Sequence, residues 1–88
     1  MARALLKIKL MPESLDTDLA EIQLKIHDKL KEASNITIEE QEVAFGLKAL
    51  VVSFAIPEQK GTEEVESVLA KIPGVSSIEI IDYRREFG

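Results

Sequence analysis

Apolar and polar side chains alternate near the start of the chain, over residues 4–11. A period of two is that of a β-strand, so the pattern predicts a first strand with one buried face. We expect this strand to end at Pro12, since proline has no N–H to donate to a sheet. The apolar face consists of Ala4, Leu6, Ile8 and Leu10.

Apolar residues then recur at the spacing of an amphipathic helix, which predicts a first helix over roughly residues 17–33. The spacing of Asp18 and Glu21 is that of a capping box at the start of this helix. Leu24 does not fit the apolar stripe. The stripe that we expect to face a sheet consists of Leu15, Leu19, Ile22, Ile26, Leu30 and Ala33.

Two further strands are predicted on either side of Gly46. Residues 36–42 form a second strand whose acidic half is typical of a sheet edge, where charges discourage pairing with other chains. Residues 50–56 are apolar on both faces and predict a central strand. Because glycine tolerates positive φ and close backbone approach, we expect a tight turn or bulge at Gly46.

The last part of the chain predicts a second helix and a fourth strand. Thr62 is the expected N-cap, and proline and glycine at residues 73–74 end the helix. Residues 75–81 predict the strand, and residues 82–88 a polar tail. The helix stripe consists of Val65, Val68, Leu69 and Ile72, and the inward residues of the strand are Ile78 and Ile80.

The order of these elements is βαββαβ, which predicts an α+β ferredoxin-like sandwich: a four-stranded antiparallel sheet with both helices on one face. The 88 residues are enough for a single domain, residues 1–88, with one modest core. The face of the sheet away from the helices would be too apolar for an ordinary solvated surface, which predicts an interface with a partner or a second copy. This open face would carry Leu5, Lys7, Lys9, Leu47, Ala49, Val51 and Ser53.

Composition narrows the classes of function. The formal net charge of -5 disfavours charge-driven binding to nucleic acid or to anionic lipid, so we expect neither as a direct partner. The lack of cysteine excludes disulfides, thiolate metal sites and thiol catalysis. The first apolar run is interrupted by lysines and is too short for a signal or membrane-spanning segment. These features predict a soluble cytoplasmic protein.

Candidate catalytic or cofactor-binding groups are few. His27 is the single histidine, and we expect it on the surface of the first helix. Carboxylates alone are a weak signal for a transition metal, and neither a Walker pattern nor a dinucleotide fingerprint follows a strand. The serines are not accompanied by a base in any recognisable motif. We therefore expect no metal, no cofactor and no covalent chemistry.

The most informative segment is AFGLKAL at residues 44–50, in which Gly46 stands between the ring of Phe45 and the cation of Lys48. A turn at the glycine would present both side chains near its tip, where they can contact a partner. Two simpler interpretations remain open: Phe45 caps the core at a hairpin, and Lys48 is an ordinary solvated charge.

Several segments, taken in order, resemble the archaeal-type elongation factor 1-beta family. They are KIKLMPES in the first strand, DTDLAEI at the start of the first helix, VAFGLKALVVSFAIP across the hairpin and third strand, and GTEEVESVLAKIPGVSSIEI in the second helix and last strand. The resemblance implies a guanine nucleotide exchange factor. Its partner would be the elongation factor 1-alpha GTPase, from which such factors accelerate the release of GDP.

The resemblance also implies contact residues in two parts of the chain. Phe45 would pack against the GTPase, with Gly46 and Lys48 beside it. Eukaryotic relatives carry a lysine near the C-terminus that enters the nucleotide site and disturbs Mg²⁺ coordination. This chain has no lysine there, and by spacing Arg84 or Arg85 stands in its place. A disordered basic tail is the alternative interpretation of these arginines.

A function of a different class fits the same fold. A small regulatory or ligand-binding module of this architecture would self-associate through the open sheet face. On that face, Lys7 and Lys9 are expected to pair with Glu79 across neighbouring strands, which is a structural role.

Overall fold

The computed structural model describes residues 2–57, 59 and 61–87. The chain order is β1 (Ala2–Pro12), α1 (Leu19–Lys29), β2 (Ser34–Glu42), β3 (Lys48–Pro57), α2 (Thr62–Ala70) and β4 (Val75–Phe87). The strands form one sheet in the order β2-β3-β1-β4, and every neighbouring pair is antiparallel. The predicted βαββαβ sandwich is therefore confirmed, with β2 at an edge and β3 inside the sheet.

The core lies between the helices and one face of the sheet. Both helices pack against that face, because buried residues of each belong to one cluster with the inward residues of β1 and β3. Full burial of a leucine or isoleucine side chain contributes about 1.5–3 kcal/mol, so this layer holds the fold together. The largest fully buried side chains are Ile8, Leu10, Ile26, Leu50, Ile56, Leu69, Ile72 and Val52.

Helix α1 is shorter than its apolar spacing predicted. Asp18 is the N-cap, and its carboxylate accepts hydrogen bonds from the N–H groups of Ala20 at 3.0 Å and Glu21 at 3.2 Å. Because Asp18 itself has extended φ and ψ, the helix cannot continue back towards Leu15. Leu15 therefore lies in the preceding loop, with 67% of its surface exposed, rather than in the core stripe.

Helix α2 carries the predicted apolar stripe but begins differently. Thr62 is the first helical residue, and Gly61 occupies the N-cap position without a side-chain hydrogen bond. Acidic side chains at Glu63 and Glu64 lie in the first turn, where they are favourable near the positive end of the helix.

Strand β4 is the main correction to the sequence prediction. It runs to Phe87, so residues 82–87 are part of the sheet and not a polar tail. The physical reason lies in its partner: β1 begins at Ala2, and Ala2 pairs with Phe87 at the far end of the ladder. Gly88 lies outside the described residues.

Candidate functional site

A tight turn connects β2 and β3 and carries the predicted contact residues. Leu47 N–H donates to the Ala44 carbonyl at 2.9 Å, and Val43 N–H donates to the Leu47 carbonyl at 3.0 Å. Phe45 and Gly46 both have positive φ, at 54° and 80°. Two consecutive residues of this kind are typical of a type I′ hairpin turn, as the sequence predicted for Gly46.

Phe45 is the most exposed large hydrophobic side chain among the described residues, at 94%. This exposure rules out the interpretation that Phe45 caps the core. The left-handed backbone at a non-glycine residue costs about 1 kcal/mol. The hairpin thus holds an aromatic ring in water on a conformationally restricted turn.

Lys48 begins β3 next to this turn. Its Nζ lies 3.6 Å from Glu40 Oε1, and both side chains are 47% exposed. The register places Lys48 opposite Glu42, so Glu40 is its diagonal neighbour on the same face. The pair keeps the lysine beside the hairpin, although an ion pair this exposed contributes little stability.

A β-bulge at Ile81 decides where the two arginines of β4 point. Asp82 pairs with Lys7 while Ile80 pairs with Ile8, so Ile81 is an extra residue in β4. The shift places Arg84 opposite Leu5, on the open face of the sheet, and Arg85 on the other face. The strand pattern does not mark this bulge, because an isoleucine fits the pattern on either side of it.

Asp82 anchors the first of these arginines. Arg84 Nε lies 3.1 Å from Asp82 Oδ2, with 74% of the arginine side chain exposed. Arg85 pairs with Ala4 in the ladder and is also exposed. Because both residues belong to a paired strand, the interpretation of a disordered basic tail is wrong for them.

The structure does not bring the two predicted groups together. The hairpin lies at the end of the sheet where Leu10 pairs with Leu50, whereas Arg84 and Arg85 pair with the opposite end of β1. The length of β1 between Leu5 and Leu10 separates these ends. We call them the hairpin end (Phe45, Gly46 and Lys48) and the arginine end (Arg84 and Arg85).

The open face of the sheet exposes less apolar surface to water than its composition predicts, because two of its alanines are covered. Ala49 and Ala55 are almost fully buried there, at 0% and 1% exposure. The register sets Lys9 opposite Glu79, as expected, but sets Lys7 opposite Asp82. A concavity of about 340 Å³ lies on this face, and Lys7, Asp82 and Arg84 contribute to its lining.

Over residues 2–57, 59 and 61–87, no three histidine, aspartate or glutamate side chains are grouped so that they could hold a metal ion. Within the same residues, neither helix has the length and apolar character needed to cross a membrane. His27 is exposed, as predicted.

Leu15, which was predicted to lie in the core stripe of the first helix, lies instead beside the hairpin. Leu15 Cδ2 would lie 3.5 Å from a methyl group placed on the Cα of Gly46. The loop before α1 therefore approaches the turn that carries Phe45. The capping signal at Asp18 could have excluded Leu15 from the helix, but it could not have placed Leu15 beside Gly46.

Comparison with known proteins agrees with the resemblance to the elongation factor 1-beta family. The sequence profile of the EF-1 guanine nucleotide exchange domain matches residues 5–85. Elongation factor 1-beta of Methanosarcina barkeri is 43% identical over 82 residues, which cover 90% of this chain and 92% of that protein. Elongation factor 1-beta of Methanothermobacter thermautotrophicus is 42% identical over 80 residues, covering 89% of this chain and 90% of that protein.

One solved structure shares the architecture without close sequence similarity. LarC2, the C-terminal domain of a cyclometallase involved in the synthesis of the NPN cofactor of lactate racemase, superposes with a TM-score of 0.67 at 9% identity. The alignment covers 99% of this chain and 58% of that chain, so this chain spans little more than half of its length. The likeness concerns the fold alone.

Proposed function

The chain belongs to the family of EF-1 guanine nucleotide exchange domains, and we propose that it promotes the exchange of GDP for GTP on elongation factor 1-alpha during protein synthesis. The observation that carries this proposal is the match of the exchange-domain profile over residues 5–85, almost the whole chain. In this proposal a single domain, residues 1–88, performs the exchange in the cytoplasm, where translation takes place.

The physical task of an exchange factor involves no covalent step. The factor has to bind the GTPase more tightly without nucleotide than with it. Linkage then requires that the factor and GDP weaken the binding of each other by the same ratio. A small, rigid domain suits this task, because its contact residues are already in place before binding.

We assign the affinity for the GTPase to the hairpin end. Phe45 is 94% exposed on a turn with two positive φ angles, so the turn fixes the direction of its Cα–Cβ bond. Aromatic side chains that become buried at the centre of an interface are frequent binding hot spots. Gly46 permits the turn, and Lys48 contributes a secondary contact beside it.

We assign the disturbance of bound nucleotide to the arginine end. A cation brought to the nucleotide site of the GTPase competes with the magnesium ion that holds the β-phosphate. The two arginines lie on opposite faces of β4, so they cannot make equivalent contacts with one surface. We therefore expect one of the two arginines to reach the nucleotide site, and single substitutions identify which.

The distance between the two ends supports a contact at two sites. A domain 42 Å long can touch the nucleotide site with one end and a second part of the GTPase with the other. The hairpin end would then hold the complex while the arginine end loosens the nucleotide. This division predicts that substitutions at the two ends change different measured quantities.

The proposal is tested by the release of fluorescent GDP from elongation factor 1-alpha. We expect this chain to accelerate release, and we expect titrations to show tighter binding to the nucleotide-free GTPase than to the GDP-bound form. Equal affinity for both forms, together with an unchanged release rate, would contradict the proposed function.

A further inference from the structure

Leu15 is an exposed apolar side chain whose position distinguishes it from other exposed leucines. It is 67% exposed, and Leu24 on the outer side of α1 is 73% exposed. Single exposed leucines are common on protein surfaces and need no function. Leu15, however, lies beside the hairpin, where its Cδ2 would be 3.5 Å from a methyl group on Gly46.

The loop before α1 and the β2–β3 hairpin line one surface depression. A cavity of about 200 Å³ is lined from one side by Pro12 and Leu15 of the β1–α1 connection, and from the other by Gly46 and Leu47 of the hairpin. Phe45 precedes Gly46 in the turn. The loop before α1 therefore brings the exposed Leu15 beside the backbone of the turn that carries Phe45.

The loop that carries Leu15 is held by several hydrogen bonds. Ser14 N–H donates to Thr17 Oγ1 at 3.1 Å, Thr17 N–H donates to the Ser14 carbonyl at 3.3 Å, and Asp16 N–H donates to Ser14 Oγ at 3.2 Å. Glu13 N–H donates to the Gly74 carbonyl at 2.9 Å, which ties the loop to the start of β4. Leu15 is thus presented on an ordered turn, so little entropy is lost when it binds.

We infer that Leu15 is a second apolar anchor of the hairpin end, which inserts beside Phe45 into an apolar surface of elongation factor 1-alpha. This inference rests on the proposed function and extends its contact surface to the loop before α1. The exposed carboxylates of Glu13 and Asp16 flank Leu15 in the sequence. On the loop side, charge complementarity therefore indicates basic groups of the partner around an apolar centre, while Lys48 carries a positive charge on the hairpin side of the same cavity.

The decisive comparison uses two leucines of similar exposure. Leu15→Ala should raise the Kd for nucleotide-free elongation factor 1-alpha about tenfold, in the range expected for an apolar anchor at an interface. Leu24→Ala should leave the Kd within about twofold, as expected for a leucine outside the interface. Because both side chains are exposed, both variants should keep the wild-type circular dichroism spectrum.

Two further measurements test the coupling between Leu15 and Phe45 and the contribution of the carboxylates beside Leu15. If Leu15 and Phe45 enter the same apolar surface, their substitutions should not be additive in a double-mutant cycle. The double substitution Glu13→Gln and Asp16→Asn should weaken binding at low salt about threefold and reduce its salt dependence. Additive single effects and an unchanged salt dependence would contradict a shared, basic-rimmed contact.

The outcomes separate this inference from the proposed function. If wild type accelerates GDP release and Phe45→Ala weakens binding, but Leu15→Ala behaves like Leu24→Ala, the inference fails while the proposed function stands. If wild type forms a dimer in sedimentation velocity that Leu15→Ala dissociates, and the variant binds the GTPase normally, the patch serves a second copy of this chain and the inference is wrong.

Discussion

The hairpin end and the arginine end of this sheet present opposite kinds of chemistry. The hairpin end displays an aromatic ring and a leucine on turns, one of which has two positive φ angles. The arginine end displays cations on β4, which pairs with β1 on both sides of the bulge at Ile81. Apolar contacts supply affinity in most interfaces, whereas charges act at a distance on other charges.

This difference suggests a division of labour within one rigid domain. A hydrophobic contact stabilises a complex whether or not the GTPase holds nucleotide, unless the contacted surface moves. A cation near a phosphate or a magnesium ion changes the free energy of the loaded form in particular. The comparison therefore predicts that the hairpin end controls Kd and that the arginine end controls the rate of GDP release.

The largest effect is expected from Phe45→Ala. Removal of a ring that is buried on binding should weaken the complex with nucleotide-free elongation factor 1-alpha by about 2–3 kcal/mol. Isothermal titration calorimetry measures this loss. The maximal rate of GDP release at saturating factor should change much less, because the arginine end is intact.

The stability of the variant to urea is the control for this prediction. Phe45 is 94% exposed, so the variant should unfold at the wild-type urea concentration. Unchanged Kd would remove Phe45 from the contact surface. A lowered release rate with unchanged Kd would assign to the hairpin end the role that we give to the arginines.

The next effect is expected from the double substitution Arg84→Ala and Arg85→Ala. It should lower the maximal rate of GDP release about tenfold or more, while Kd for the nucleotide-free GTPase rises about threefold or less. Stopped-flow release of fluorescent GDP at saturating factor measures the rate. Substitution is preferable to truncation, because residues 84–87 pair with β1 and their removal would also shorten the sheet.

The single variants refine this result. Arg84 and Arg85 lie on opposite faces of β4, so one of the two single variants should account for most of the loss. An equal loss in the two single variants would contradict a contact made by one face of β4. Full release activity in the double variant would contradict a role for the arginine end as a whole.

The apolar patterns predicted the fold well because they reflect burial. The period of two in β1 and the helical stripe around Ile22 and Ile26 both face the core, as their spacing indicated. The end of β4 could not be predicted in this way. Residues 82–87 are mostly polar, and their strand structure depends on the backbone hydrogen bonds offered by the first residues of β1, which is a tertiary cause.

The candidate site was predictable in part. The glycine signal located the turn at Gly46, but the sequence left open whether the ring of Phe45 is buried or exposed, because an aromatic fits either case. The environment of Leu15 was predicted wrongly because its spacing continues the helical stripe. The helix begins only after its N-cap, Asp18, so local hydrogen bonding outweighed the periodicity and left Leu15 in the preceding loop.

A smaller effect, on stability, is expected from Gly46→Ala. The φ of Gly46 is +80°, which strains any residue with a Cβ, although the nearest atom to that Cβ would be Leu15 Cδ2 at an ordinary 3.5 Å. The loss should be about 1 kcal/mol in the free energy of unfolding, measured by urea denaturation. Such a loss would show that Gly46 holds a backbone conformation that residues with a Cβ adopt only at a cost.

Gly61→Ala is the matched control for this variant. A Cβ there would meet nothing within 4 Å, and its φ of -72° suits any residue. Its free energy of unfolding should stay within about 0.5 kcal/mol of wild type. Equal losses in the two variants would show that backbone strain is not confined to the hairpin.

The smallest effect is expected from Lys48→Ala, which asks whether charge matters at the hairpin end. Its ion pair with Glu40 spans 3.6 Å between half-exposed side chains, so the loss of stability should stay below about 0.5 kcal/mol. Binding should weaken about threefold or less, because an exposed rim charge supports a contact that Phe45 anchors. If Lys48→Ala instead slowed GDP release as strongly as the double arginine variant, both ends would act through charge, and the two ends would differ only in backbone geometry.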